Sequence, residues 1–375
     1  MKNRVLLYST FLLLPLLASC GEEGYSVDKF SVTHDASYQL WDNFDYENLK
    51  VSYDGTELET YQYDVDLSKL DLGKVGDSTI TVSLKEAPEI SLTLPIQTTY
   101  RDTCNLLCVG SSCVSDAVAY ANEIVKNTDE SLKVNIYAAI AEDVSLDDHY
   151  DYFVTGNAAY SFLSYDSSTS SWASSDGKAK TLQEILNGGI SFDAICLGEE
   201  SARAGKKESF KNLSRFASSL CSYCESLGKK APSLSYLLPW AYQDNAVVDT
   251  SYYEDYQNNQ NTMYEAIVDA CQEKVVASKR FNAVLPIGTA IQNARSSGFP
   301  TTNDFTSDGK NLDQTYGRYL ASLCLVSALT GHQSSYFSRL GPDGVEYVTE
   351  KEKTQFDKIV DAAISNPYQI TKTDI

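Results

Sequence analysis

The chain has 375 residues, a formal net charge of −21 and a sequence pI of about 4.5. This charge argues against nucleic acid as a partner, since binding nucleic acid requires a basic surface. A hydrophobic content of 43% is enough for a sizeable core and excludes wholesale disorder. The length fits one large domain plus a small one, or two of medium size.

The N-terminus is predicted to be a targeting signal rather than part of the fold. A basic start is followed by the apolar run 5–17, and 17–20 (Leu-Ala-Ser-Cys) resembles a bacterial lipobox. The resemblance implies a signal peptide over 1–19, lipidation of the Cys20 thiol and a tether over 20–28. An ordinary secretory signal with a chance cysteine is the alternative. We therefore expect an extracytoplasmic lipoprotein that is anchored to the membrane at the cell surface.

Eight cysteines follow the lipobox, and export permits disulfides between them. Cys108 and Cys196 nevertheless lie inside apolar strand-like runs, and Cys221 and Cys224 continue an apolar helical stripe. Buried free thiols are therefore predicted at most of the eight positions. The Cys221–Cys224 pair has no second Cys/His pair of matching spacing, so no metal site is predicted, and no cofactor is expected.

Residues 29–98 show three runs of alternating apolar residues that are separated by Gly, Asp and Pro, a pattern typical of a small β-sandwich. The segments 42–45, 49–55 and 75–82 resemble bacterial immunoglobulin-like modules of surface proteins. The resemblance implies a spacer or a binding module, and a spacer without ligand is favoured. The polar residues 97–103 are interpreted as a linker.

After this linker the pattern changes to alternating strands and helices, which predicts a parallel sheet covered on both faces. A Ser-rich stretch, 164–179, is predicted to form an exposed hairpin or loop. The predicted strands are 105–109, 132–140, 193–197, 234–239 and 282–287, and the predicted helices are 114–126, 180–187, 207–227, 260–279, 314–330 and 349–365.

The first strand–helix junction is the strongest candidate for a functional site. An apolar strand ends at Gly110, a tight turn carries Ser112, and a helical pattern follows at once. Such a junction presents a serine hydroxyl at the carboxyl edge of the sheet, where ligands of open parallel sheets collect. The competing interpretation of Ser112 is a residue that caps the next helix.

Five blocks in chain order carry a family resemblance: Gly110-Ser-Ser-Cys113, Phe192-Asp-Ala-Ile-Cys-Leu197, Trp240-Ala-Tyr242, Pro286-Ile-Gly-Thr-Ala-Ile-Gln-Asn-Ala-Arg295 and Ser307-Asp-Gly-Lys-Asn-Leu312. They resemble a lipoprotein-associated branch of the SGNH (GDSL-type) hydrolase superfamily. The resemblance implies a flavodoxin-like three-layer α/β/α domain over 104–370 that cleaves esters, often acetyl groups on glycans. Ser112 would be the nucleophile, and Asp308 would orient a histidine base three residues later.

The sequence departs from that family pattern at the positions that carry the chemistry. Asn311 stands at the usual histidine position, and an amide cannot accept the serine proton. Glu142 and Asp143 stand where an oxyanion glycine is expected. Glu199 follows Gly198 at the position of an amide donor, where a carboxylate would repel an oxyanion.

The remaining candidate residues leave several interpretations open. His149 is the one histidine that could be a relocated base. Trp240 and Gln292 are candidate cleft residues, although Trp240 fits the core equally well. The carboxylates could hold a hard cation, but a solvated acidic rim is the favoured interpretation.

The predicted function is that of a surface-anchored lipoprotein whose hydrolase-like domain has a degenerate triad. It would bind a glycan or an acylated polymer as an interaction module. The alternative is an active serine esterase or carbohydrate deacetylase that uses Ser112 with a relocated base. A purely structural domain with an unused cleft is the third possibility.

Overall fold

The structure is a computed structural model, and the predicted signal peptide and Cys20 lie outside the residues that it describes. In the described part of the chain, no helix is both long enough and apolar enough to cross a membrane. The described residues are 24–166, 169, 171–244, 246, 253–339 and 348–375.

The chain divides into two compact units. The first comprises the described residues up to Asp35 together with Glu47–Ser68 and Ile80–Leu94. The second comprises Ala36–Tyr46, Lys69–Thr79 and Pro95–Ile375. The region predicted as one immunoglobulin-like module therefore contributes segments to both units.

Among the described residues, seven strands precede the α/β region, in agreement with the predicted all-β character of this part of the chain. They form a three-stranded sheet of order β1-β3-β4 and a four-stranded sheet of order β2-β7-β6-β5. An immunoglobulin-like sandwich remains a prediction. The strands are β1 (Phe30–His34), β2 (Tyr38–Gln39), β3 (Leu49–Tyr53), β4 (Thr56–Glu57), β5 (Tyr63–Asp66), β6 (Gly76–Leu84) and β7 (Ser91–Thr99).

The predicted linker 97–103 overlaps two strands: residues 97–99 end β7 and residue 103 begins the next strand, whereas 100–102 lie in neither. Arg101 is 1% exposed and lies inside the second unit. Its Nε donates to the carbonyl oxygen of Leu40 at 2.7 Å, and its Nη2 pairs with Asp42 Oδ1 at 2.7 Å. A buried guanidinium requires such partners, and they come from the segment 36–46.

The main sheet has seven strands in the order β11-β10-β9-β8-β12-β13-β14. Five of them are the predicted strands, and these five run parallel. The prediction of a wholly parallel sheet is wrong, because the Ser-rich stretch and the residues before it form a hairpin that adds two antiparallel strands at the edge. The strands are β8 (Thr103–Gly110), β9 (Lys133–Ile140), β10 (Tyr160–Asp166), β11 (Ser171–Lys180), β12 (Ala194–Gly198), β13 (Ser233–Leu237) and β14 (Ala283–Leu285).

Helices cover both faces of the sheet and bury two separate apolar clusters, one on each side. Three of them, α3, α5 and α8, were not predicted. The predicted helix 114–126 is divided into α1 and α2. The helices are α1 (Ser112–Val118), α2 (Ala121–Lys126), α3 (Leu146–Thr155), α4 (Leu182–Asn187), α5 (Ser201–Ala204), α6 (Leu213–Ser226), α7 (Gln260–Ala270), α8 (Ile287–Ser297), α9 (Tyr316–Thr330) and α10 (Glu350–Ser365).

The prediction of buried free thiols is confirmed. All eight cysteines after Cys20 are free; seven are buried and Cys221 is half-buried. Cys108 and Cys196 are register partners on the adjacent strands β8 and β12. Burial raises the pKa of the Cys113 thiol to about 12, so the cysteine next to Ser112 is an unreactive packing residue.

Candidate functional site

The candidate site lies where β8 and β12 end side by side. Numbered along the chain, the five parallel strands have the spatial order 2-1-3-4-5, which is the flavodoxin-like doubly wound order. The direction of winding reverses between β8 and β12. Ligands of such sheets bind outside the carboxyl ends of the strands at this reversal.

Glycines allow α1 to pack tightly against these two strand ends. A Cβ on Gly110 would lie 2.5 Å from Val114 Cγ2 and 2.9 Å from the carbonyl oxygen of Gly198. A Cβ on Gly198 would lie 2.6 Å from the same Val114 methyl group. All three distances are shorter than a real Cβ contact. The two glycines therefore seat Val114 between the strands and hold the start of α1 at the sheet edge.

Ser112 is the first residue of α1 and is half-buried. The interpretation of Ser112 as a helix cap is wrong, because Ser111 is the N-cap residue. Within the described residues, the Ser112 hydroxyl forms no hydrogen bond with another side chain or backbone group. Its backbone N–H faces the carboxyl group of Glu142, at the end of β9, and stabilises the charged form of that group.

The loop 307–312 brings the Asp308–Asn311 pair to this edge. Asp308 Oδ1 accepts the backbone N–H groups of Lys310 and Asn311 at 2.9 and 2.7 Å, and Asn311 Nδ2 donates to Asp308 Oδ2 at 2.7 Å. Partial burial raises the pKa of Asp308, but these hydrogen bonds outweigh it and hold the pKa below its usual value. Asn311 is thus bound to Asp308 through both its backbone and its side chain, and its amide group has no basic nitrogen.

Asp116, which sequence reasoning missed, fixes this loop against α1. It follows Ser112 by four residues, so the two side chains share a helix face. Asp116 Oδ2 accepts the backbone N–H of Leu312 at 2.8 Å, and Oδ1 pairs with Arg318 at 2.7 Å. Asn311 is therefore held next to the helix that begins with Ser112. The spacing Ser112–Asp116 was the only sequence signal for this role.

Two cations pair with Glu200, which follows the end of β12. Lys310 Nζ lies 3.4 Å from Glu200 Oε1, and Arg203 Nε lies 3.8 Å from Glu200 Oε2. Glu142 and Asp143 are exposed as residues, but the carboxyl group of Glu142 is partly shielded from solvent. This partial burial and the charge of Asp143 raise the pKa of Glu142. In the described ranges, no three His, Cys, Asp or Glu side chains come together as a metal site.

Glu199 does not face the cleft, contrary to its predicted place among the oxyanion residues. Its side chain is fully buried. Oε2 accepts the backbone N–H of Leu146 at 2.9 Å, and Oε1 accepts that of Glu200 at 2.8 Å. Burial raises the pKa of Glu199 to about 8, so the group is mostly neutral at pH 7. The two hydrogen bonds of Glu199 connect the loop after β9 to the end of β12.

The free energy of unfolding of Glu199→Gln is expected to fall less than that of the wild type as the pH rises. The pKa of Glu199 is about 8 in the folded state against an ordinary 4.5. Between these values the folded state keeps the proton and the unfolded state releases it, so the free energy of unfolding falls as the pH rises. Urea denaturation across this range should show a flatter pH dependence for Glu199→Gln. The exposed Glu208→Gln is the control; equal slopes for both variants would contradict the assignment.

The prediction that His149 is a base for Ser112 is wrong. Its ring is fully buried, and Nδ1 lies 2.8 Å from the hydroxyl of Tyr160. Burial lowers the pKa of His149 to about 4, so it is an uncharged core residue. His332 is stacked between two tyrosine rings and lies 2.7 Å from Asp102 Oδ1, beside the start of β8 rather than its end.

Trp240 and Gln292 support the site from within the core. Trp240 is 1% exposed and donates from Nε1 to the carbonyl oxygen of Lys310 at 2.8 Å, so it holds the loop 307–312 and offers no open face to a ligand. Gln292 is buried in α8, where its Nε2 donates to Asn261 Oδ1 at 2.9 Å. Neither side chain is brought together with Ser112.

Most of the second unit matches a known protein family. The family described as "Domain of unknown function (DUF4886)" matches residues 105–350. The chain belongs to the DUF4886 family. None of the curated proteins matches the sequence.

Solved structures include a relative with the same family description. A crystal structure of a DUF4886 family protein from Bacteroides uniformis ATCC 8492 is similar over 72% of this chain and 98% of its own, with 26% identity and a TM-score of 0.62. A provisionally assigned SGNH hydrolase from Slackia heliotrinireducens matches over 60% of this chain and 99% of its own, with 15% identity and a TM-score of 0.37. The second likeness is too weak to inform the chemistry of this DUF4886 protein.

Proposed function

We propose that the second unit is an SGNH-type domain whose triad is degenerate and that it binds a glycan or an acylated polymer. The doubly wound strand order, Ser112 directly after β8, and Asp308 in the loop before α9 support this kinship. The observation that carries the proposal is the Asn311–Asp308 hydrogen bond of 2.7 Å. It fills the base position with a group that cannot take a proton.

The surroundings of Ser112 favour binding over fast hydrolysis. The backbone N–H of Ser112, which would stabilise a developing oxyanion, faces the carboxyl of Glu142. Neither histidine of the second unit lies at the site. The accessible groups are a free hydroxyl, an amide, carboxylates and the ammonium group of Lys310, which together suit hydrogen bonding to a polyhydroxylated chain.

Calorimetric titration with acetylated and deacetylated polysaccharides tests the proposal. The purified chain is expected to bind at least one of them, and Lys310→Gln is expected to weaken binding by about tenfold, the loss of roughly one charge-assisted hydrogen bond. Lys351→Gln, an exposed change on α10, is the matched control. Equal binding by both variants, or hydrolysis as fast as that of histidine-based esterases, would count against a binding role.

We also propose that the chain is anchored outside the cytoplasm by a lipid on Cys20. The basic start, the apolar run and the lipobox-like Leu-Ala-Ser-Cys support it. Labelling of cells with a radioactive fatty acid should mark the wild-type chain and leave Cys20→Ala unlabelled. Labelling of Cys20→Ala at the wild-type level would contradict the anchor.

A further inference from the structure

Arg295, in the last turn of α8, has a charged side chain that is only 4% exposed. Its Nη1 donates to the carbonyl oxygen of Ala241 at 2.9 Å and to Gln292 Oε1 at 3.2 Å. Its Nη2 donates to the carbonyl oxygen of Asp304 at 3.2 Å, and Nε lies 3.1 Å from Asp304 Oδ2. A buried charge is stable only where such partners surround it. Arg295 therefore ties the segment after β13 and the residues before the loop 307–312, the site loop, to one point on α8.

The turn Asp304–Phe305, the strained turn, has an unfavourable backbone conformation. Its φ is 53° at Asp304 and 68° at Phe305, in the left-handed region. A bulky residue such as phenylalanine rarely adopts this conformation, which persists only where the surrounding contacts impose it. Arg295 holds the aspartate together with Gln260, whose Nε2 donates to Asp304 Oδ2 at 2.8 Å, and the Phe305 ring is fully buried. The strained turn therefore depends on these contacts for its shape.

The strained turn leads into the site loop, which lies along the segment after β13. Thr306 Oγ1 donates to Gln243 Oε1 at 3.0 Å, and the backbone N–H of Gln243 donates to the carbonyl oxygen of Gly309 at 2.9 Å. Arg295 binds this segment at Ala241 and also binds the strained turn. A single side chain of α8 thus fixes both the start of the site loop and the segment beside it.

We propose that Arg295 is a positioning residue that locks the site loop in one conformation, so that Lys310 and the other polar side chains of the loop form a binding surface before any ligand arrives. This inference rests on the proposed ligand binding at the Ser112 edge and adds the residue that preforms it. A loop that is already ordered loses little conformational entropy on binding. Lysine cannot replace Arg295, because one ammonium group lacks the planar fork that reaches both the strained turn and the segment after β13.

The indole N–H groups of the three tryptophans report the effect of Arg295→Lys. That of Trp240 donates to the carbonyl oxygen of Lys310, in the site loop, at 2.8 Å. Those of Trp41 and Trp172 donate to carbonyl oxygens outside this loop, at 2.9 and 3.0 Å. In ¹⁵N NMR spectra, Arg295→Lys is expected to shift the Trp240 signal and to speed its hydrogen exchange about tenfold or more, and to leave the other two signals in place. A change at Trp240 alone distinguishes a released loop from a general loss of structure.

Two further variants complete the comparison. Arg280→Lys changes an exposed arginine ahead of β14, and this matched control is expected to leave all three indole signals unchanged. Asp304→Asn covers the case in which Arg295→Lys does not fold. Asparagine accepts a positive φ, so this variant removes the charged partner of Arg295 without disfavouring the turn itself. It is also expected to move the Trp240 signal alone.

Calorimetric titration with acetylated xylan relates the locked loop to binding. Arg295→Lys is expected to bind about tenfold more weakly than the wild type, and Arg280→Lys as tightly as the wild type. The inference is overturned if the Trp240 signal and its exchange rate are unchanged in both Arg295→Lys and Asp304→Asn, or if they change and the affinity does not. A wild type that does not bind contradicts the ligand binding alone, because the Trp240 signal still decides whether Arg295 locks the loop.

Discussion

Asn311→His is expected to raise the Ser112-dependent hydrolysis of acetyl esters by about 10²-fold or more, since a positioned general base contributes roughly 10²–10⁴-fold. Asn311 already donates to Asp308 Oδ2 at 2.7 Å, and an imidazole at this position could donate its ring N–H to the same oxygen. Asp116 holds the adjacent Leu312 against α1. The second ring nitrogen would then be available to the Ser112 hydroxyl.

The pH profile distinguishes a restored base from a non-specific gain. The rate of Asn311→His should rise with an inflection near the ordinary histidine pKa of about 6.5. Adding Ser112→Ala should abolish the gain. Asn311→Gln, which keeps an amide, is the matched control. A histidine variant that is no faster than the glutamine variant would show that residue 311 does not reach the serine.

Gly288→Ala is expected to lower the free energy of unfolding by about 3 kcal/mol or more, or to prevent folding. Gly288 lies in the first turn of α8, within the block Pro286–Arg295 of the family resemblance. Its backbone N–H donates to the carbonyl oxygen of Leu238 at 2.8 Å. A Cβ at this position would overlap the carbonyl group of Pro239, and backbone cannot move aside as a side-chain end can.

Gly189→Ala is the matched control for this change. A Cβ on Gly189 would meet no atom within 4 Å, and its φ is not in the left-handed region. We expect its effect to stay within about 0.5 kcal/mol. Urea denaturation followed by circular dichroism measures both variants. Equal stabilities would mean that α8 can withdraw from the end of β13, and Gly288 would then have no packing role.

The apolar periodicity of the sequence correctly predicted the strands and helices that have one face buried along their whole length. The five parallel strands and α4, α6, α7, α9 and α10 were predicted, with α6 and α7 predicted too long. The end of α7 was missed because its chain continues through a π-helical turn, Cys271–Val275, in which the apolar spacing stays nearly helical. α3 was missed because its first turn is acidic and only three of its ten residues are buried.

The site was predicted in part. The sequence indicated Ser112, Asp308 and Asn311, because a strand–turn–helix junction and a short polar loop are local patterns. It placed Glu199 at the cleft and proposed His149 as a base, because chain order suggests which loops meet but not which way a side chain turns. Burial of both groups follows from packing between α3, β10 and β12, which no local pattern reveals.

The sequence by itself determined the α/β class, the strand–turn–helix junction at Ser112 and the polar loop that carries Asp308 and Asn311, since each depends on residues adjacent in the chain. Tertiary structure alone decided that Arg101 binds the segment 36–46 and that Asp116 holds the loop 307–312. Those contacts join residues far apart in sequence. Their free energy comes from burial and from hydrogen bonds that exist only once the sheet is assembled.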